Sequence, residues 1–416
     1  MLKYLVQVVQ NSLVSGVLVS LFFTLIYQSG SDSVKKWLNR GLAAGILLAL
    51  ILAVLKHTTI LINREFFNIG ILSVALLSEI LFFVFSGISL ARKPALLRGG
   101  IWNFIAFLLP ASLLLYCLPD IFLYPTEFLL AGESIFSTDF LFKTVGFLFG
   151  LLVVILSVFA LYRTASALPA RLTLCLFAVG LAINMVSQIV SVVQPLLARR
   201  IIPMQKWLFS IVKFVVNHNN YFLFAILIIS VIIPILLWFR SYRAKQPYAN
   251  PAEHRKLRAE SRRQRRWSAI VLAGYLFSIF SVTAIKSYTE REVVLSPAEP
   301  MTIVGEQILI PLEQVNDGHL HRFAYIASDG TEVRFIVIKK NEYAYGVGLD
   351  ACDICGATGY YERDGKVICK LCDVVMNIST IGFKGGCNPV PLAYVISEGS
   401  MVIEIQDLEN EKKRFA

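Results

Sequence analysis

Five of the seven cysteines fall in one stretch near the C-terminus: Ala351-Cys352-Asp353-Ile354-Cys355-Gly356, Cys369-Lys370-Leu371-Cys372 and Gly385-Gly386-Cys387-Asn388-Pro389. Thirteen residues separate the two Cys-x-x-Cys pairs, and fourteen more precede Cys387. Each Cys-x-x-Cys bends its backbone until both sulfurs face one ion, so the two pairs can bring four thiolates to a soft cation. Tetrahedral zinc, a single cysteine-ligated iron and an iron–sulfur cluster all suit such a set. Gly356 supplies the permissive backbone that a knuckle turn needs, and an Asp364-Gly365 turn would set the second pair beside the first. Covalent haem attachment is excluded, because it requires Cys-x-x-Cys-His and here Gly356 and Asp373 follow the pairs. Disulfides are a further reading, although an odd count leaves one thiol over. Cys387, in a tight glycine-rich turn, is a candidate fifth ligand or a thiol held against the site.

Other residues could add chemistry. His319 and His321 alternate about Leu320 on an expected strand, so both face one side and are candidate further metal ligands. The alternative is a pair of solvated or hydrogen-bonded imidazoles. Tyr343, Tyr345, Tyr360 and Tyr361 flank the cysteines and read as core packing. Glu79 lies inside an apolar block, where a carboxylate is costly and marks a functional position. Asn103, Asn184, Ser187 and Gln188 could join it in a polar seam, or Glu79 could simply lock helices together. Cys117 and Cys175 read as core residues of the apolar region.

The elements that position these groups are of two kinds. The 416 residues are 56% apolar and 16% charged, with a mean hydropathy of +0.66. A soluble domain is about half apolar and a quarter charged. Blocks near 20 apolar residues span a bilayer, and eight are present: Leu5–Tyr27, Gly41–Leu55, Ile69–Leu90, Ile101–Tyr124, Phe140–Tyr162, Leu172–Leu197, Phe222–Phe239 and Ser268–Ile285. The second is short and reads as little tilted or partly re-entrant. The first exceeds a signal-peptide core and has only Lys3 beside it, so no cleavable signal is expected. Residues 1–286 therefore form a transmembrane helical domain. Residues 287–416 form a β-rich metal-binding domain within the usual size range. There, Met301–Pro311, Arg322–Ile326, Glu332–Lys339, Gly359–Arg363, Lys366–Cys369 and Met401–Gln406 read as strands, with a hairpin turn at Asp329-Gly330.

The net charge of +11 has a local origin. Arg240 to Arg266 holds ten Lys/Arg against two Glu. Between two spans, such a run is a cytoplasmic retention signal rather than a nucleic-acid site. Loops carrying Lys35, Lys36 and Arg40, Arg92, Lys93 and Arg98, and Arg163 and Arg171 fall on that same side. The loop with Glu127, Glu133 and Asp139 falls on the other, as does the nearly neutral one with Lys56, Arg64 and Glu65. Arg199, Arg200, Lys206 and Lys213 dissent. Both termini, and the cysteine domain, are then expected to be extracytoplasmic.

The C-terminal motifs resemble the FtrD-like family of membrane iron–sulfur proteins. The resemblance rests on Asp317-Gly318-His319-Leu320-His321-Arg322-Phe323, Val333-Arg334-Phe335, Asp350-Ala351-Cys352-Asp353-Ile354-Cys355-Gly356, Gly359-Tyr360, Cys369-Lys370-Leu371-Cys372, Thr380-Ile381-Gly382 and Gly385-Gly386-Cys387-Asn388-Pro389-Val390-Pro391-Leu392. It implies a component of bacterial ferrous-iron uptake, acting beside an iron permease, a periplasmic iron-binding protein and a cupredoxin-like protein. In that setting the chain is an electron-transfer oxidoreductase component with an iron–sulfur cluster or a single cysteine-ligated iron. It lacks the Arg-Glu-x-x-Glu form of an iron permease, and only His57 and His218 lie near span edges, which disfavours intramembrane haem. Two alternatives stand beside the redox reading. One is a non-redox metal-delivery or scaffold protein with a structural four-cysteine zinc site. The other is a thiol–disulfide carrier working through Cys352/Cys355 and Cys369/Cys372.

Overall fold

The computed structural model describes residues 2–58, 64–91, 97, 99–128, 137–203, 205–243, 247–289, 293–363, 365–372 and 374–416, without the side chains of 64, 65, 88–91 and 243. Arg92, Lys93, Arg98, Glu133, Asp364 and Asp373 lie outside the described residues. The chain divides into two compact units, Met1–Glu290 and Arg291–Ala416.

Among the described residues, eight helices of the first unit are long and apolar enough to cross a membrane. They lie in α1 (Leu2–Ser29), α2 (Asp32–Thr58), α3 (Arg64–Ala91), α4 (Gly100–Leu123), α5 (Thr138–Ala165), α6 (Ala170–Ala198), α8 (Asn219–Arg243) and α9 (Pro251–Phe280). The second span is not short: α2 runs for 27 residues, because Asp32 to Arg40 continues the helix beyond the apolar block. Helix α1 is central. Of its span, 67% is buried, against 33–50% for the others, and it packs on α4, α5 and α6. Its Leu13, Val17, Leu18 and Phe22 meet Phe82, Leu109, Val154 and Phe177 in one core.

Two elements go beyond the sequence reading. Lys206 and Lys213, which dissent from the charge pattern, belong to a twelve-residue amphipathic helix, α7 (Lys206–Asn217). Its Val212 and Val215 pack on Val190 and Leu197, while Trp207, Phe209 and Phe214 are exposed. The basic run is not a loop either, because its second half is the start of α9. The Asn250 side chain accepts from the Glu253 amide at 2.8 Å, and Glu253 accepts from the Ala249 amide at 2.7 Å. This reciprocal cap starts a helix that carries Arg255 to Arg266 directly into the last span. A π-helical turn (Ser281–Ile285) then leads to α10 (Lys286–Thr289).

Among the described residues, the second unit has three small antiparallel sheets. One joins β1 (Thr302–Val304), β2 (Gln307–Pro311), β10 (Ser400–Glu404) and β9 (Val395–Ser397) in that order; the second is β3 (His321–Ile326), β4 (Glu332–Lys339) and β5 (Tyr345–Leu349); the third is β6 (Tyr360–Arg363), β7 (Lys366–Cys369) and β8 (Val375–Met376). Strand β4 explains the layering. Its side chains alternate, so Phe335 and Val337 enter a core with Ile308, Ile310, Met401 and Ile403. Ile336 and Ile338 enter another with Tyr360, Val367, Cys369 and Met376. The middle sheet thus backs the cysteine-bearing sheet with apolar surface. The expected closing strand ends early: after Glu404 the chain turns into α11 (Ile405–Glu411), whose Leu408 is buried in the first core.

Candidate metal centre

Three segments carry the sulfurs, and each is held by backbone. In the first, Cys352 and Gly356 exchange both hydrogen bonds, at 3.1 and 3.0 Å, and the Cys355 amide donates to Cys352 Sγ at 3.0 Å. Closing this knuckle requires Gly356 at φ +67°, a conformation costly for any residue with a Cβ. The second segment begins on β7, where Cys369 pairs with Tyr360 in register and its amide donates to Val374 O at 3.0 Å. The third returns alongside the first: the Val390 amide donates to Ala351 O at 3.0 Å and the Leu349 amide to Val390 O at 2.8 Å.

The result is one cluster of sulfur. Cys352, Cys355 and Cys387 have Sγ atoms within 4.8 Å of one another, as do Cys355, Cys369 and Cys372. Cys355 belongs to both groups, and Cys372 Sγ lies 3.7 Å from Cys387 Sγ. All seven cysteines are free. Metal–thiolate bonds of about 2.3 Å in a tetrahedron separate their sulfurs by about 3.8 Å, so this spacing fits thiolates that share a metal. The donor set is soft throughout, and no histidine or carboxylate joins these groups among the described residues. Such a set suits iron, zinc or an iron–sulfur centre.

The thiols do not ionise alike. Burial pushes Cys352 up, but donors led by the Cys355 and Ile354 amides outweigh it and hold it below its ordinary value. Burial and the sulfurs of Cys372 and Cys369 push Cys355 up, and burial also pushes Cys369 up. A bound cation would remove that conflict, since coordinated thiols are deprotonated outright.

Tyr360 connects this cluster to a buried charge network. Its ring is 1% exposed and its hydroxyl donates to Cys387 O at 2.6 Å. Its amide donates to Asp350 Oδ1 at 2.8 Å, and its carbonyl accepts from Arg322 Nη2. Asp350 Oδ2 also takes Arg322 Nε at 2.9 Å and Arg334 Nε at 3.3 Å, while Arg334 Nη2 donates to Ala357 O at 2.8 Å. Gly359 has φ +89°, and a Cβ there would stand 2.9 Å from Asp350 Oδ2. The sequence reading gave Arg322, Arg334 and Asp350 no role. The signal was present as charges within apolar strand runs, which persist only where paired.

The histidines go elsewhere. His319 precedes β3, is exposed, and shares a 2.9 Å hydrogen bond with Glu362, which raises its pKa. His321 is buried between Glu299 and Asp317, each 2.9 Å from one ring nitrogen. Of the four tyrosines, Tyr345, Tyr360 and Tyr361 are buried, but Tyr343 is 88% exposed and packs no core. Cys117 is buried, while Cys175 faces out of the bundle.

In the membrane unit Glu79 is fully buried. Its Oε1 accepts from Gln188 Nε2 at 3.0 Å and Asn184 Nδ2 at 3.4 Å. Asn103 does not join: its Oδ1 has no partner among the described residues. Ser187 bonds instead to Asn219 Oδ1, at 3.3 Å.

Residues 315–415 match the family of FtrD-like, membrane iron–sulfur-containing proteins. No curated protein and no solved structure matches the chain. With its eight apolar helices and its cysteine cluster, it is a multi-pass membrane protein whose C-terminal unit has the donors of a metal-binding protein.

Proposed function

We propose that the chain is the membrane redox component of a bacterial ferrous-iron uptake system, accepting or relaying electrons at a cysteine-held iron or iron–sulfur centre. The observation that carries this reading is the convergence of five thiols, with Cys355 common to both groups. Cys352, Cys355, Cys369 and Cys372 would hold the centre, and Cys387 would supply a fifth thiol beside it. Bound there, cysteine-ligated iron supplies one-electron chemistry. The chain's own residues do the rest. Tyr360 fixes the Cys387 backbone; the Cys355 amide draws negative charge onto Cys352 Sγ; Ile336 and Ile338 shield the inner face from water.

The placement follows from charge. The basic half of α9 favours the cytoplasm, and this supports the reading in which the C-terminal unit lies on the extracytoplasmic side of the inner membrane. There it would meet a periplasmic iron-binding protein and a cupredoxin-like protein, with an iron permease beside it in the membrane. Metal analysis and electron paramagnetic resonance of the purified full-length chain test this reading. Cysteine-ligated iron with visible charge-transfer bands is expected. A colourless protein holding stoichiometric zinc would overturn it and support the non-redox scaffold reading, which the 3.7 Å sulfur spacing also accommodates.

A further inference from the structure

The segment from Arg199 to Phe222 holds four Lys/Arg and neither Asp nor Glu. Twelve of its residues form α7, which at 1.5 Å per residue is about 18 Å long. The hydrocarbon core of a bilayer is about 30 Å thick, so this helix cannot cross it. Its side chains sort into stripes at the helical period. Val212 and Val215, with Leu208 beside them, pack on Val190 and Leu197 of α6. Lys206, Ser210, Lys213 and Asn217 form the opposite stripe, and all four are exposed. Between the two stripes lie exposed apolar flanks, Trp207, Ile211 and Phe214 on one side and Phe209 and Val216 on the other.

Water does not suit those flanks. Trp207 is 61% exposed, and Val186 and Ile189 on the adjoining turns of α6 are exposed as well. The apolar surface of a span therefore runs on into α7. Aromatic rings border the end of the helix: Phe214 stacks on His218 at 4.5 Å, and His218 meets Tyr221 at 5.0 Å. Trp and Tyr gather where hydrocarbon meets head groups. A short helix with apolar flanks and a cationic stripe lies in that plane, each lysine laying its stem on apolar surface and its ammonium among the head groups. Lys206 and Lys213 form no ion pair among the described residues.

We infer that α7 lies along the membrane surface and that Lys206 and Lys213 bind the head groups of acidic phospholipids. The flanks select a lipid over a soluble anion, because acyl chains cover them. A stretch with four cations and no carboxylate is complementary to phosphate. The dissent of these two lysines from the loop charge pattern is then explained, since they are lipid ligands on a surface helix. The inference is independent of the redox reading.

Trp207 provides the local readout. The full chain is reconstituted in phosphatidylcholine bilayers containing brominated phosphatidylglycerol or, at matched mole fraction, brominated phosphatidylcholine. Fluorescence lost on Trp207→Phe isolates the signal of α7 from the other tryptophans. Quenching of that signal is expected with both lipids, at about 25-fold lower mole fraction with the acidic one, about 5-fold for each lysine. In Lys206→Gln/Lys213→Gln that ratio is expected to fall to about one, whereas Lys206→Arg/Lys213→Arg, which keeps both charges, should retain it. Should the double glutamine variant fail to fold, Lys213→Gln alone is expected to lower the ratio about 5-fold. Equal quenching by the two lipids in the wild type would overturn the inference. So would a ratio unmoved in the folded glutamine variant, or lost in the arginine variant. No quenching by either lipid would put another occupant, such as a second copy of the chain, on this face and would also overturn it.

Discussion

Two single side chains decide how well the sulfur cluster is held. Tyr360→Phe removes the donor to Cys387 O while keeping the ring in its core. One buried hydrogen bond is worth about 1 kcal/mol, so metal affinity in a chelator competition is expected to fall about 5-fold. Unchanged affinity would show that the phenol serves packing alone. Arg322→Met is a harsher change, because it leaves Asp350 buried beside Arg334 only. Removing one partner from a buried ion pair costs about 3–5 kcal/mol, and hydrogen exchange of the β3 and β4 amides in the full chain should accelerate accordingly. The cysteines were legible because their chemistry depends on spacing along the chain. The Arg322–Asp350 pair was not, since its partners are brought together only by strand register. The histidine alternation fails only as strand geometry: β3 begins at His321, two residues past His319, so the two imidazoles do not share a strand face.

At the scale of elements, local pattern was reliable where turn chemistry was strong. Glu332–Lys339 forms a strand with those same ends, because Asp329-Gly330 fixes the hairpin before it and Gly330 takes φ +86°. The terminal helix α11 escaped notice because its seven residues are too few to show a period. That helix is clasped to the hairpin through Glu409. Lys412 Nζ donates to it at 2.9 Å, the Ser328 amide at 2.7 Å and the Tyr325 hydroxyl at 3.1 Å, and together they hold its pKa down to about 2 from 4.5. The folded form therefore binds this proton more weakly than the unfolded form. The clasp contributes fully above the unfolded value and is lost as pH falls through the folded one. The difference in thermal midpoint between wild type and Glu409→Gln is accordingly expected to be constant from neutral pH to about 5 and to vanish toward pH 2. A difference that grew on acidification would contradict the clasp.

At the scale of the molecule, eight apolar blocks foretold eight spans, since hydropathy over twenty residues needs no tertiary information. The packing of α7 on α6 was invisible because it depends on which helix faces which. Membrane topology has a direct measurement. A periplasm-dependent phosphatase fused after Ala416 should be active, and one fused after Asn250 inactive; the reverse pattern would invert the assignment. The C-terminal unit has one further property, which follows from the return of Val390 to the end of β5. The chain leaves that strand at Leu349 and comes back beside it, with Gly348 bridged to Pro391. The sulfurs therefore lie within a loop whose ends are already tied. A cross-link inside a closed loop has less chain entropy to remove than one in an open chain. Stripping the metal should loosen only the cysteine loop and leave the β2–β10 ladder protected from hydrogen exchange. The emptied chain could then be refilled in place, without first being unfolded.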